Sequence, residues 1–188
     1  MSFIPDFEIG IWNAWIFTIW PIIVGFLGPF VVKEKKVSQR LRISVPMKFE
    51  RTLNMLSNAS LIIGVVFSIF LPLKLDTIWF YIGLLIFLFG LILQLTVLYT
   101  LRKANPDRPF TTGPYRFSRH PIYFGLFLMI ISISIMSLSW LFLLIVIIFA
   151  MPLLITAPAE ERYCLKTYGK EYQDYMDRTP RWIGIPKK

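Results

Sequence analysis

Charged residues are absent from four long stretches of the chain, and these stretches predict its helices. They are residues 9–32, 52–73, 77–101 and 121–159, which contain no Asp, Glu, Lys or Arg. A hydrocarbon core about 30 Å thick needs roughly 20 apolar residues for one helical crossing. Each of the first three stretches therefore predicts one membrane-spanning helix.

The fourth stretch has 39 residues, which is too long for one crossing and long enough for two. Ser137, Ser139 and Trp140 interrupt its run of Ile, Leu and Phe, so we expect the chain to reverse there. The predicted fold class is an all-α integral membrane protein with five spans and a C-terminal helical hairpin. The spans are predicted at about residues 11–32, 55–72, 78–101, 121–137 and 140–158.

Three segments outside these spans have their own predicted structure. A short surface helix is expected around residues 46–54. The segment 102–120 contains Pro and Gly, which resist regular helix, but its aromatic residues favour an ordered loop. From residue 159 an amphipathic cytoplasmic helix is predicted, interrupted at Gly169, and it lies either on the membrane surface or as a lid over a site formed with the 102–120 loop. One domain over residues 1–188 accounts for all of these segments.

Composition and charge agree with a membrane protein and suggest its orientation. Hydrophobic residues make up 56% of the chain and charged residues 16%, which is more apolar than an ordinary soluble domain. Of the 20 basic residues, 19 lie in the segments 33–53, 102–120 and 160–188, with Lys74 as the exception. The positive-inside rule therefore places these segments in the cytoplasm and the N-terminus outside. The net charge of +9 is explained by this topology, and no nucleic-acid partner is predicted.

The sequence also argues against several other features. One His and one Cys cannot form a zinc site, so no metal is predicted. Cys164 has no second cysteine with which to form a disulfide within the chain. The first span lacks a basic segment before it and a small-residue cleavage site, so a removable signal peptide is not expected.

The predicted hairpin brings polar residues together at its cytoplasmic end. Arg119, His120 and Tyr123 lie where its first helix begins, and Glu160 and Glu161 lie where its second helix leaves the apolar run. Polar groups concentrated at a membrane boundary usually mark a functional site. Each group also has a simpler explanation, since the two glutamates could form a solvated helix face and His120 could merely flank Pro121 at a helix start.

These residues form motifs that resemble the isoprenylcysteine carboxyl methyltransferase family of integral membrane methyltransferases, and the related phospholipid methyltransferases share two of the elements. The resemblance covers residues 107–177. The motifs are Gly113-Pro114-Tyr115, Arg119-His120-Pro121-x-Tyr123, Glu160-Glu161, and Tyr168-Gly169-Lys170-Glu171-Tyr172 with Tyr175.

The resemblance implies a five-span core, a cytoplasmic S-adenosylmethionine site that yields S-adenosylhomocysteine, and a lipophilic acceptor that enters from the bilayer. The positions implied to bind the cofactor are Phe110, Tyr115, His120, Pro121, Ile122, Tyr123 and Glu160. The resemblance assigns Arg119 and Glu161 to catalysis, with Glu161 supporting its neighbour. Membrane lipids are the other expected partners.

Two departures from the family pattern bear on the acceptor. Carboxyl methyltransferases of this family tend to carry an arginine four residues before the first Glu, where Thr156 stands and is expected to face the substrate. A neutral side chain cannot pair with an acceptor carboxylate. The chain also has Asp107-Arg108-Pro109-Phe110 where the family often shows His-x-Leu-Val. A phospholipid or small-thiol acceptor thus stays open beside the prenylcysteine.

Two hypotheses from other classes remain at this stage. Membrane sterol reductases, which use NADPH, have a similar C-terminal half, but this chain is short for their usual number of spans. A non-enzymatic scaffold or small transporter is the other, although the first three spans contain no ionisable residue that would form an ion path.

Overall fold

The computed structural model describes residues 8–31, 48–105 and 107–187, and these residues fold into α-helices with short connections. The helices are α1 (Trp15–Val31), α2 (Lys48–Ile69), α3 (Ile78–Arg102), α4 (Pro121–Ser137), α5 (Trp140–Tyr168) and α6 (Lys170–Arg178), with a 3₁₀ turn at Gly113–Arg116. Within the described part of the chain the only β pairing is an isolated bridge between Asn13 and Pro72. The predicted all-α class is therefore confirmed.

The helix bounds differ from the predicted ones at α2 and α5. The short surface helix predicted at 46–54 was wrong as a separate element, because α2 runs without a break from Lys48 into the apolar segment. No Gly or Pro stands between Lys48 and Ile63 to end the helix. Pro72 disfavours helical geometry at the preceding residue, and α2 ends at Ile69, short of the predicted limit. Residues 33–47, which make up most of the basic segment 33–53, lie outside the described residues.

α5 continues nine residues beyond the apolar run 121–159 and carries the glutamate pair on its last turns. The amphipathic segment predicted from residue 159 is thus part of α5 and does not begin a new helix. The predicted interruption at Gly169 is present, where φ is +55° and α6 begins at the next residue. A positive φ is easily adopted only by glycine, which explains why the helix breaks there.

Two of the described helices, α3 and α5, are long and apolar enough by length and composition to cross a membrane. The apolar parts of α1, α2 and α4 are shorter, at Trp15–Val24, Met55–Ile69 and Pro121–Ser137. Much of the apolar surface faces outward, as at Leu85, which is 69% exposed on α3. Such a surface suits hydrocarbon better than water.

Neighbouring helices run in opposite directions, and the connections that the structure describes lie at two ends of the bundle. At one end the N–H of Ala14 donates to the Leu71 carbonyl at 2.9 Å, and the N–H of Lys74 donates to the Met136 carbonyl at 3.0 Å. The predicted reversal between α4 and α5 lies at this end: Leu138 has a φ of +52°, and the Ser139 hydroxyl caps α5 by accepting from the Phe142 N–H at 3.1 Å. Residues 102–121 and 159–184 lie at the opposite end.

Helices α3 and α4 pack closely because glycines line their contact. A Cβ atom added at Gly83 would lie 2.8 Å from the Ser132 carbonyl oxygen, and one at Gly90 would lie 3.0 Å from the Gly125 carbonyl oxygen. Small residues of this kind allow helix backbones to approach in a membrane. Farther along α3, the Gln94 amide donates to the Ile122 carbonyl at 2.7 Å, which fixes the beginning of α4.

Candidate active site

The loop before α4 is held in place from two sides. Gly113, at φ +59°, turns the chain beside Thr100 of α3, and a Cβ there would meet the Thr100 hydroxyl oxygen at 2.5 Å. Tyr115 is buried in a small cluster with Phe110, Val97 and Leu101, against which Ile122 packs. The Tyr175 hydroxyl of α6 donates to the Tyr115 carbonyl at 2.7 Å. The described part of this loop therefore contacts the C-terminal helix, as the alternative of a lid over the loop predicted.

Residues 118–120, which follow this turn, are held by hydrogen bonds to the backbone of residues 180 and 181. The N–H of Arg119 donates to the carbonyls of Pro180 and Arg181 at 3.0 and 3.2 Å. The Ser118 hydroxyl oxygen accepts from the His120 N–H at 3.1 Å, and the same hydroxyl donates to the Arg181 carbonyl at 3.3 Å. Pro121 then begins α4, where its missing N–H costs nothing.

Glu161 is the most buried carboxylate of the site and is surrounded by cationic and polar groups. Its side chain is 3% exposed. Arg181 donates to it through two parallel hydrogen bonds, Nε to Oε1 at 2.9 Å and Nη2 to Oε2 at 2.7 Å. Arg119 Nη1 lies 3.1 Å and His120 Nε2 lies 3.3 Å from Oε1. Such a set of partners is what a buried charge requires.

These partners determine the ionisation of Glu161, which follows the apolar run 121–159. Burial by itself would raise the pKa of the carboxyl, but the hydrogen bonds from His120 and Arg181 and the charges of Arg119 and Arg181 lower that pKa to about 2. The hydrogen bond to Glu161 in turn raises the pKa of Arg181. Glu161 is therefore ionised and fully engaged by protein groups.

Glu160, its neighbour, faces a different environment. Its side chain is 29% exposed, and its Oε1 accepts a short hydrogen bond from the Tyr123 hydroxyl. Oε2 lies 3.6 Å from His120 Nδ1. The His120 and Tyr123 rings stack with centroids 5.4 Å apart and an angle of 7° between their planes. His120 thus lies between the two carboxylates, with one ring nitrogen facing each.

Arg119 has donor capacity that the protein does not use. Its side chain is 12% exposed, and its Nε and Nη1 atoms are buried without a hydrogen-bond acceptor among the residues that the structure describes. Nη1 is within ion-pair distance of Glu161, but Nε has no such contact. An unmet buried donor is costly, so an anionic group of a ligand would be stabilised there.

The structure brings together most of the residues that the sequence predicted. Arg119, His120, Tyr123, Glu160 and Glu161 form one polar cluster across the hairpin, as expected. The aromatic pair Phe110 and Tyr115 forms a neighbouring cluster that includes the predicted Ile122, with ring centroids 5.8 Å apart. Pro121 is fully buried at the start of α4.

Thr156, expected to face the substrate, is buried on α5, one turn before Glu160. Its hydroxyl donates to the Leu153 carbonyl at 3.3 Å and also interacts with the Tyr123 hydroxyl. It therefore borders the polar cluster and is engaged within it. Its neutral side chain adds no cation to the site.

Two site residues were not predicted from the sequence, Arg181 and Trp182. Arg181 makes the closest contacts to Glu161, and the Trp182 ring lies 5.7 Å from the His120 ring. The pattern Arg178-Thr-Pro-Arg-Trp182 offered a signal, since a basic and an aromatic residue follow a helix end and a proline. Nothing in that pattern, however, indicated that Arg181 would pair with Glu161 or that the Trp182 ring would lie beside His120.

A comparison with known families resolves the class of the protein. The pattern of the phospholipid methyltransferase family matches residues 78–171, which is half of the chain and includes the whole polar cluster on α4 and α5. The chain belongs to the phospholipid methyltransferase family. No curated protein matches it significantly in sequence.

Family membership confirms the resemblance predicted from the motifs and indicates a membrane methyltransferase. The matched region begins with α3 and ends just after α5, so it contains the two described helices that are long and apolar enough to span a membrane. The sterol reductase and scaffold hypotheses receive no comparable support. Among the described residues no group of His, Cys, Asp and Glu is arranged to hold a metal ion.

Proposed function

We propose that this phospholipid methyltransferase family member transfers a methyl group from S-adenosylmethionine to a lipophilic acceptor held in the membrane. The observation that carries this proposal is the polar cluster, in which a partly exposed carboxylate, Glu160, is fixed beside Tyr123 and His120 at the end of an apolar bundle.

The chemistry of the cluster suits this cofactor. The Glu160 carboxylate can offset the positive charge of an amino group or a sulfonium in a site of reduced dielectric. Glu161 is already paired with Arg181 and Arg119, so it supports Glu160 and His120 and does not compete for the ligand's charge. The unmet Arg119 Nε–H can donate a hydrogen bond to the ligand's carboxylate.

The aromatic residues next to the cluster supply the remaining requirement. Phe110 and Tyr115 form a pair of rings beside Ile122, which immediately precedes Tyr123. Flat apolar walls of this type stack with an adenine ring. Phe110, Tyr115 and Ile122, with Pro121 at the start of α4, complete the set that we propose to bind the cofactor.

S-adenosylmethionine held by Glu160, His120 and Tyr123 would supply an electrophilic methyl carbon: a lone pair of the acceptor would form the new bond to that carbon, and the electron pair of the broken carbon–sulfur bond would return to sulfur. The protein's part is to hold the acceptor in line and to exclude water. A carboxylate or thiolate acceptor would need no strong base, whereas an ammonium group would first have to lose a proton. Thr156 leaves no cation for an acceptor carboxylate, which favours an amine or thiol.

The membrane topology is part of the same proposal. Five helices that alternate in direction, with the basic segments 102–120 and 160–188 at the end that carries the site, fit five spans with the N-terminus outside and the site in the cytoplasm. Single cysteines placed at the exposed Ile9 and Lys187 in a Cys164→Ser background would test this topology in intact cells. An impermeant maleimide should label the first and spare the second; the reverse pattern would overturn the orientation.

Calorimetric titration of S-adenosylmethionine into detergent-purified protein tests the cofactor. We expect micromolar affinity, on the order of −8 kcal/mol, that falls at least tenfold in Glu160→Gln, while the melting temperature of that variant stays within about 4 °C of the wild type. Glu171→Gln is the matched control, since it neutralises an exposed glutamate on α6 and should bind normally. Absence of binding to folded wild-type protein would refute the proposal.

A further inference from the structure

The chain end after α6 contributes to the site although it lies beyond the region matched to the family. The family pattern ends at residue 171, and the tail segment, defined here as residues 179–184, follows α6. The tail segment runs along residues 117–119 before α4. Its Gly184 N–H donates to the Phe117 carbonyl at 3.0 Å, and its Thr179 is buried.

This pairing directs one side chain of the tail segment into the polar cluster. The backbone carbonyl of Arg181 accepts from the Arg119 N–H and the Ser118 hydroxyl, while its guanidinium reaches the Glu161 carboxylate. Arg181 is 39% exposed and Glu161 is 3% exposed, so the pair closes the polar cluster on its solvent side.

The geometry of the pair has a consequence for His120. Two parallel hydrogen bonds from one guanidinium fix the plane of the carboxylate and not only its position. Oε1, held in this plane by Arg181 Nε at 2.9 Å, is the atom that His120 Nε2 meets at 3.3 Å. With Nε2 fixed in this way, Nδ1 of the same ring is turned toward Glu160.

We propose that Arg181 is a positioning residue of the methyl-transfer site, which orients His120 against Glu160 by fixing the Glu161 carboxylate. The proposal rests on the proposed cofactor site, because Glu160 and His120 are the groups through which the effect on binding would appear. It assigns a role to a segment outside the family match.

Substitutions at Arg181 separate charge from geometry. Arg181→Lys keeps a cation near Glu161 but cannot make the two parallel hydrogen bonds, and Arg181→Gln removes the cation as well. The matched control is Arg178→Gln, since Arg178 is exposed and its Nε donates only within its own helix, to the Asp174 carbonyl at 3.0 Å. A merely structural role for Arg181 predicts that Lys restores full function.

Two measurements read out the effect. The first is the dissociation constant for S-adenosylmethionine, which should rise at least tenfold in Arg181→Gln and severalfold in Arg181→Lys, with Arg178→Gln unchanged. The second is the ¹⁵N spectrum of His120 in protein purified without a histidine tag. His120 is the chain's only histidine, so its two ring nitrogens give one unambiguous pair of signals. These signals should shift in both Arg181 variants.

The two measurements also separate this inference from the proposed function. Unchanged affinity or unchanged His120 signals in a folded Arg181→Lys variant would overturn the positioning role, whether or not Arg181→Gln folds. If the wild-type protein fails to bind S-adenosylmethionine, the proposed function falls, and the His120 signals alone then decide the role of Arg181.

Discussion

Replacing either of the two adjacent glutamates with Gln should have a different effect at each position. Glu161→Gln removes the charge that Arg119 and Arg181 share, and it leaves two guanidinium groups close together without a counter-ion. Glu160→Gln removes a carboxylate that is 29% exposed, and its amide oxygen can still accept from the Tyr123 hydroxyl. We therefore expect the first variant to lose stability and the second to lose cofactor affinity.

The size of the first effect follows from the environment of Glu161. Removing one partner of a buried ion pair costs about 3–5 kcal/mol. The lowering of the Glu161 pKa from 4.5 to about 2 corresponds independently to about 3 kcal/mol of stability near neutral pH. For a chain of this length each kcal/mol shifts the melting temperature by about 2–4 °C, so a loss of about 3 kcal/mol in Glu161→Gln should lower it by about 6–12 °C. Glu160→Gln should shift it by less than about 4 °C, since a partly exposed pair contributes at most about 1 kcal/mol.

The assay is thermal unfolding of both variants in the same detergent, followed by titration of S-adenosylmethionine below the lower melting temperature. The double variant Glu161→Gln with Arg181→Gln completes the cycle, and we expect it to be less destabilised than the sum of the two single variants. Equal melting temperatures for Glu160→Gln and Glu161→Gln would refute the reasoning, because the difference in burial would then have no energetic consequence.

The pKa of Glu161 and the contact between α3 and α4 lead to two further predictions. Because folding lowers the pKa of Glu161, its contribution to stability is complete above about pH 4.5 and is lost as the pH falls toward 2; the difference in melting temperature between the wild type and Glu161→Gln should therefore shrink across that range, and a difference independent of pH would contradict this. In α3, Gly83→Ala places a methyl group 2.8 Å from the backbone oxygen of Ser132 and against Met136 Cγ, and overpacking of this kind costs about 1–3 kcal/mol. Gly64→Ala, which meets one side-chain atom at 3.3 Å, is its control and should melt at or above the wild type, since Ala favours a helix more than Gly does; similar losses in both variants would contradict overpacking at Gly83 as the cause.

Much of the helical arrangement could be predicted from the sequence because burial of charge in an apolar medium is so costly. The charge-free runs gave α3 and α4 almost to the residue and gave the reversal at Ser137–Trp140. The predicted helix bounds were wrong at α2 and α5, where the position of charged residues does not indicate where a helix begins or ends. α2 begins within a charged segment and α5 continues into one, because the backbone hydrogen-bonding pattern does not stop at a change in polarity.

The polar cluster was predictable to the extent that the hairpin made its residues neighbours. Two helices joined by a tight turn must bring their other ends together, so Arg119 and His120 were expected near Glu160 and Glu161. The hairpin could not show which glutamate is buried. That depends on a rotation of α5 about its axis, which is set by packing against α2 and α4.

By itself, the sequence determined that the chain is a bundle of apolar helices with one polar end and that it carries the motifs of a membrane methyltransferase. These properties depend on local composition and spacing. The tertiary structure alone decided that Arg181 completes the cluster, that Glu161 is enclosed, and that Glu160 faces outward. The reason is that these contacts join segments 20 to 60 residues apart, and only the fold determines which distant groups share one low-dielectric space.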